Sequence, residues 1–126
     1  MKKVMIFGSF GGTEESYSAL LDEARHHGNY LIVVIPQDSL VEHLTGKLPT
    51  IDFAERFDNL KKNSGVNEII IDNVDTSIRE IIEEKKPDVL AFGSDQEVLK
   101  EAIEEIVESL GEPIEVKVLK NFESNT

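Results

Sequence analysis

The 126-residue sequence contains no Cys and no Trp. Without Cys there can be no disulfide, no thiolate nucleophile and no Cys-ligated zinc. Basic residues are scarce: 13 Lys+Arg stand against 25 Asp+Glu, a formal net charge of −12. That balance opposes nucleic-acid binding, which needs clustered Lys and Arg against phosphates. No apolar run approaches the roughly 20 residues of a membrane span. The opening MKKVMIFGSF is basic and then apolar, but it is too short for a secretory signal and has no small-residue cleavage site. The expectation is a cytoplasmic protein with neither nucleic acid nor membrane as partner.

What is present is a globular composition, 40% hydrophobic. The length suits one domain over residues 1–126, able to bury about two thirds of its unfolded surface. Strand-length apolar runs alternate with segments of helical period. Val4-Met5-Ile6-Phe7 ends at Gly8. Leu31-Ile32-Val33-Val34-Ile35 is stopped by Pro36. Glu68-Ile69-Ile70-Ile71, Val89-Leu90-Ala91-Phe92 and Ile114 to Leu119 follow. Between them, Tyr17, Leu20, Leu21 and Ala24 predict a helix, with Gly28 expected as its C-terminal glycine. Leu40, Val41 and Leu44 predict a short helix, and Phe53, Ala54, Phe57 and Leu60 another. Ile78, Ile81 and Ile82 predict a helix ended by Pro87, and Leu99 through Leu110 a long acidic one whose carboxylates face solvent.

Strands that are apolar throughout are buried on both faces. With helices between them, they predict a doubly wound, five-stranded parallel sheet in a Rossmann-like three-layer α/β/α sandwich. In such a fold ligands sit beyond the carboxyl ends of the strands, at the switch point. The residues there are Gly8-Ser9, Pro36-Gln37-Asp38, Asp72-Asn73, Gly93-Ser94-Asp95 and Lys120-Asn121.

The loop Gly8-Ser9-Phe10-Gly11-Gly12-Thr13 joins the first strand to the first helix. Its glycines permit a tight turn and close approach of a ligand, and free N–H groups at a helix start can hold an anion. An ordinary strand-to-helix turn, with Thr13 as N-cap and Glu14 and Glu15 complementing the helix dipole, reads equally well. The spacing fits neither the dinucleotide fingerprint nor the P-loop.

Over nearly its whole length the chain resembles the nucleotidyltransferase superfamily. The likeness is strongest to cytidylyltransferase-like members of the glycerol-3-phosphate cytidylyltransferase and archaeal FAD synthetase type. It is carried by KKVMIFGSF, LLDEARHHGNYLIVVIPQDS, GKLPTIDFAERFDNLKK, VNEIIID and KKPDVLAFGSDQ. Against the family pattern G-[ST]-F-D-x-x-H-x-G-H, Gly8, Ser9 and Phe10 match. The Asp falls on Gly11, the two His on Glu14 and Tyr17, and the intervening Gly on Ser16. In the K-G-[KR]-x-P stretch the phosphate-binding Lys falls on Thr45, while Gly46, Lys47 and Pro49 match. Arg56 matches the Arg of the next helix, and Gly93, Asp95 and Gln96 match G-x-D-Q. The late R-x-x-x-I-S-[ST]-T signature is reduced to residues 120–126, with Ser124 as its serine.

The resemblance implies a nucleotide site built from Gly8, Ser9, Phe10, Gly11, Lys47, Gly93, Asp95 and Ser124, with Arg56 and Thr45 as further candidates. It implies CTP or ATP as ligand, Mg²⁺ arriving with the nucleotide, and a homodimer. The family's His residues stabilise charge on the phosphates during in-line attack. A carboxylate at Glu14, about 5 Å from a phosphate charge, is repelled by roughly 3 kcal/mol at an effective dielectric of about 20. A helix N-terminus returns only about 0.3–1 kcal/mol. Tyr17 can donate a hydrogen bond but cannot become a cation. The expectation is a domain of this fold that is catalytically degenerate and retains nucleotide binding. The rival is an active Mg²⁺-dependent enzyme moving CMP or AMP onto a phosphorylated acceptor. A third reading takes GSFGGTEES as the phosphate loop of a flavodoxin-like FMN carrier, and a fourth takes the chain as a structural dimer module.

Other candidates have structural readings. His26 and His27 sit where a helix C-terminus favours imidazole donors, and His43 reads as a solvated surface residue. Arg56 is expected either in the cleft or paired with Glu55 or Asp52. Asp95 is expected as a ligand contact or as the N-cap of the long helix.

Overall fold

The computed structural model describes residues 1–8, 14–62, 65–72, 77–94 and 96–119, apart from the side chains of residues 14–17, 44 and 45. The elements run β1 (Lys3–Phe7), α1 (Glu14–Arg25), β2 (Tyr30–Pro36), α2 (Asp38–Thr45), α3 (Phe53–Lys61), β3 (Glu68–Asp72), α4 (Ile78–Lys85), β4 (Val89–Gly93), α5 (Glu97–Leu110) and β5 (Glu115–Leu119). All strand pairs are parallel, in the order β3-β2-β1-β4-β5. This is the doubly wound sheet expected from the unbroken apolar strands. A flavodoxin places its strands in the order 2-1-3-4-5, so the flavodoxin-like reading is corrected by the strand order.

The alternation of each strand divides the core in two. Val4, Ile6, Leu31, Val33, Ile35, Val89 and Ala91 pack with Leu20, Leu21 and Ala24 of α1 and Leu60 of α3. Met5, Phe7, Ile32, Val34, Leu90 and Phe92 face the other way, onto Ile81 and Ile82 of α4 and Ile103 of α5. Helices therefore cover both faces, and the layers are α1 and α3, the sheet, then α4 and α5.

Local chemistry sets the helix ends. The Asp52 side chain accepts from Glu55 N at 2.9 Å and caps α3. Ser77 caps α4 through Glu80 N. Gly46 (φ 80°) and Gly111 (φ 68°) close α2 and α5 in the left-handed conformation. Gly28 is different: α1 ends at Arg25, and Gly28 is not among the residues with positive φ. It is glycine for lack of room, since a Cβ there would lie 2.6 Å from both Lys2 O and Val4 Cγ2. The α1 terminus is bonded instead by His26, whose Nδ1 lies 2.7 Å from Asp22 O, as expected of an imidazole at that end.

A polar cluster fastens the amino ends of the strands. Tyr30 Oη donates to Glu68 Oε1 at 3.0 Å, Lys85 Nζ lies 2.5 Å from Glu68 Oε2, and Lys3 Nζ donates to Lys85 O. Burial pushes the Glu68 carboxyl up, but the hydrogen bonds from Lys85 and Tyr30 and the charges of Lys85 and Lys3 outweigh it and hold the pKa below its usual value. The Lys85 ammonium is held above its usual value, chiefly by its hydrogen bond to Glu68.

Two outcomes follow from this packing. Gly28→Ala should lower stability by about 1–3 kcal/mol, read as a fall in urea midpoint, because its Cβ meets backbone that cannot swing away. The depressed Glu68 carboxyl gives stability that is present above its unfolded pKa and is lost as pH falls through the lower folded value. Glu68→Gln should therefore lose at most about 1 kcal/mol at pH 7 and should flatten the acid side of a Tm-versus-pH curve.

Candidate functional site

The strand order reverses direction at β1: β2 and β3 extend to one side of it, β4 and β5 to the other. The crevice at such a reversal, beyond the carboxyl ends of β1 and β4, is where doubly wound folds bind ligands. Gly8 follows β1 here, and Gly93 ends β4 with Ser94 in the turn beyond it. α1 begins at Glu14, after the loop from β1. The parts that converge are small residues, which leave space, and a helix start, which offers backbone donors; Gly8 N and Gly93 N are themselves engaged, by Val34 O and by the Gln96 side chain. By contrast, a surface cavity of about 380 Å³ lies between the ends of α4 and α5, lined by Ile82, Pro87, Leu110 and Pro113. It sits at the amino end of β4 and β5, away from the crevice.

The predicted residues separate into three groups. Gly8 and Gly93 are brought to the crevice by the neighbouring strands β1 and β4. Ser9, Phe10, Gly11, Asp95 and Ser124 lie outside the described residues, as do the side chains of Glu14, Tyr17 and Thr45. Lys47 is exposed in the connection from α2 to α3, one residue past the α2 cap.

Arg56 is paired, but with a carboxylate other than the two expected. It is fully buried. Its Nη2 donates to Asp38 Oδ1 at 2.8 Å and its Nε to Ile51 O at 3.1 Å, with the guanidinium 5.8 Å from the Phe53 ring centre. Its ion-pair partner is thus Asp38, not Glu55 or Asp52; Asp52 is occupied in capping α3. Asp38 is the first residue of α2 and Arg56 lies in α3, so the pair ties the start of α2 to α3 across the segment that carries Lys47. Nothing in the local pattern joins residues 18 apart; the pair becomes visible only when both helices pack on the sheet.

Gln96 was legible only as the last letter of G-x-D-Q. It is 8% exposed, and its side chain joins β4 to β1: Oε1 accepts from Gly93 N at 2.7 Å and Nε2 donates to Phe7 O at 2.8 Å. It also occupies the N-cap position of α5, the place expected for Asp95, without a side-chain bond to that helix. Among the described residues no group of three or more His, Asp or Glu is placed to hold a metal, and no helix is long and apolar enough to cross a membrane.

The model of the cytidylyltransferase-like family matches residues 6–124. The chain belongs to that family. FAD synthases of archaea are similar to this cytidylyltransferase-like domain. That of Methanobrevibacter smithii is 35% identical over 99 residues, 76% of this chain and 64% of the relative. That of Methanohalobium evestigatum is 30% identical over 120 residues, 95% of this chain and 77% of the relative. Among solved structures, a lipopolysaccharide core biosynthesis protein from Thermoplasma volcanium superposes with a TM-score of 0.83 at 24% identity, covering 98% of this chain and 99% of that one. Pantothenate synthetase from Thermus thermophilus gives 0.65 at 14% identity, covering 94% of this chain and 55% of that one. At these identities the structures speak for the fold.

Cutting the buried ion pair of the cytidylyltransferase-like domain should be costly. Asp38→Asn removes the negative charge facing the buried Arg56 guanidinium, and we expect a loss of about 1–3 kcal/mol in chemical denaturation.

Proposed function

We propose that this cytidylyltransferase-like domain binds a nucleoside triphosphate, CTP or ATP with Mg²⁺, in the crevice between β1 and β4, and that it has lost most of the family's nucleotidyl-transfer activity. One observation carries the reading: the positions that hold imidazoles in the family pattern are Glu14 and Tyr17 here. A carboxylate at the start of α1 repels the phosphates whose charge the family's His residues stabilise, and a phenol supplies no positive charge. The α1 N-terminus supports retained binding, because its backbone donors hold phosphate without side-chain charge, and Gly8 and Gly93 leave room for close approach. Lys47 is the surviving cation of the phosphate stretch. The reading includes a cytoplasmic homodimer, and a monomeric mass by sedimentation would remove the dimer from it.

Similarity to FAD synthases favours a second reading, adenylyl transfer from ATP to FMN by a substituted site. The discriminating measurement is pyrophosphate release from ATP and CTP, with FMN or glycerol phosphate as acceptor and Mg²⁺ present. On the first reading the native chain turns over negligibly while calorimetry detects nucleotide. Introducing Glu14→His and Tyr17→His together should raise the rate by at least about 100-fold, the scale of restoring one electrostatic stabiliser. Turnover by the native chain at ordinary enzyme rates, lost on Glu14→Ala, establishes the second reading instead.

A further inference from the structure

β1 and β4 are neighbours, yet their pairing stops at Ile6–Ala91. Each stays paired longer with its outer neighbour: β1 with β2 as far as Phe7–Val34, and β4 with β5 as far as Gly93–Leu119. The two central strands therefore part over their last residues, where the crevice opens. On the α4 and α5 side the parting is floored by the rings of Phe7 and Phe92, stacked 5.8 Å apart and 5° from parallel.

Within the parting lies the Gln96 amide. Its Nε2 donates to Phe7 O at 2.8 Å and its Oε1 accepts from Gly93 N at 2.7 Å. A side-chain amide carries the same donor and acceptor types as a peptide group, so Gln96 replaces the missing rung between the strands. Its own backbone is held on both sides. Gln96 N donates to Gly93 O at 3.1 Å, and Gln96 O accepts from Lys100 N at 2.8 Å in the first turn of α5. Gln is a poor residue for an N-cap, and here its side chain makes no bond to the helix it starts. Capping therefore does not account for it; bridging does. An apolar side chain of equal length would leave a buried carbonyl and a buried N–H unpaired.

We infer that Gln96 is a positioning residue, a spacer that sets the separation of β1 and β4 at their carboxyl ends and so the seat of a nucleoside phosphate against Gly8 and Gly93. The seat rests on the nucleotide reading of the crevice; the spacer does not.

The experiment uses the full chain and three variants. Gln96→Met keeps length and removes both bonds. Gln96→Glu keeps the acceptor for Gly93 N and sets a carboxylate oxygen against Phe7 O. Ile103→Val, a buried change on α5 seven residues beyond Gln96 that leaves the amide in place, controls for general loss of stability. Amide hydrogen exchange by NMR reads the spacer, and calorimetry with CTP and ATP plus Mg²⁺, well below the melting temperature, reads the seat. In Gln96→Met the Gly93 amide should exchange at least tenfold faster relative to Val4 and Met5, and nucleotide affinity should fall at least tenfold. Ile103→Val should do neither. Affinity of Gln96→Glu, taken as a ratio to the native chain at each pH, should recover on acidification, because the protonated carboxyl regains a donor for Phe7 O. A purely structural glutamine would show uniform acceleration of exchange across β1, β4 and α5 with affinity within twofold of native, and that result overturns the inference. If Gln96→Met does not fold, Gln96→Glu decides the seat by its affinity and pH ratio. If the native chain binds neither nucleotide, the seat falls with the nucleotide reading, and the Gly93 exchange alone decides the spacer.

Discussion

Two strands that run side by side and then part impose the central constraint on this molecule. A parallel sheet covered on both faces has no water with which to satisfy its backbone, so each peptide group needs a protein partner. The doubly wound order forces β1 and β4 to diverge where their connections leave in opposite directions. Divergence makes the crevice, and it also strands backbone groups at Phe7 and Gly93. The Gln96 amide resolves that conflict without closing the crevice. Site and scaffold thus meet in one side chain.

Polar chemistry elsewhere obeys the same rule. Among the described residues no buried side-chain nitrogen or oxygen lacks a partner. Arg56 is fully buried, yet it is bonded to Asp38, to Ile51 O and against the Phe53 ring. Its bond to Asp38 makes it a brace between α2 and α3. At the amino ends of the strands, Tyr30, Glu68, Lys85 and Lys3 form a closed network. The amino end is locked by this charged network, while the carboxyl ends of β1 and β4 carry the small residues Gly8 and Gly93.

On the proposed reading this crevice takes a nucleotide, and the substitutions within the family pattern set how it does so. A chain of net charge −12 that meets a polyphosphate must do so through local features, because its overall field is repulsive. Glycine-rich turns and a helix start act at short range and survive that field. On the same reading, a carboxylate at Glu14, the first residue of α1, adds to that repulsion. Binding without efficient transfer, as proposed above, rests on this balance.

Much of the fold was legible in the chain. Unbroken apolar strands such as Leu31–Ile35 and Val89–Phe92, with helical segments between them, specify a buried parallel sheet, because burial on both faces removes the alternation that a half-exposed strand would show. The strand ends likewise pointed to Gly8 and Gly93, which the sheet sets at the ends of neighbouring strands. Three features were decided by tertiary structure. Gly28 looked like a helix cap and proved to be a close approach to Lys2 and Val4. Arg56 found Asp38, and Gln96 found Phe7, 89 residues away. The physical reason is common to all three. Periodicity and capping are local and are written in neighbouring residues, whereas a steric limit or a buried hydrogen bond depends on which distant backbone the fold delivers to that point.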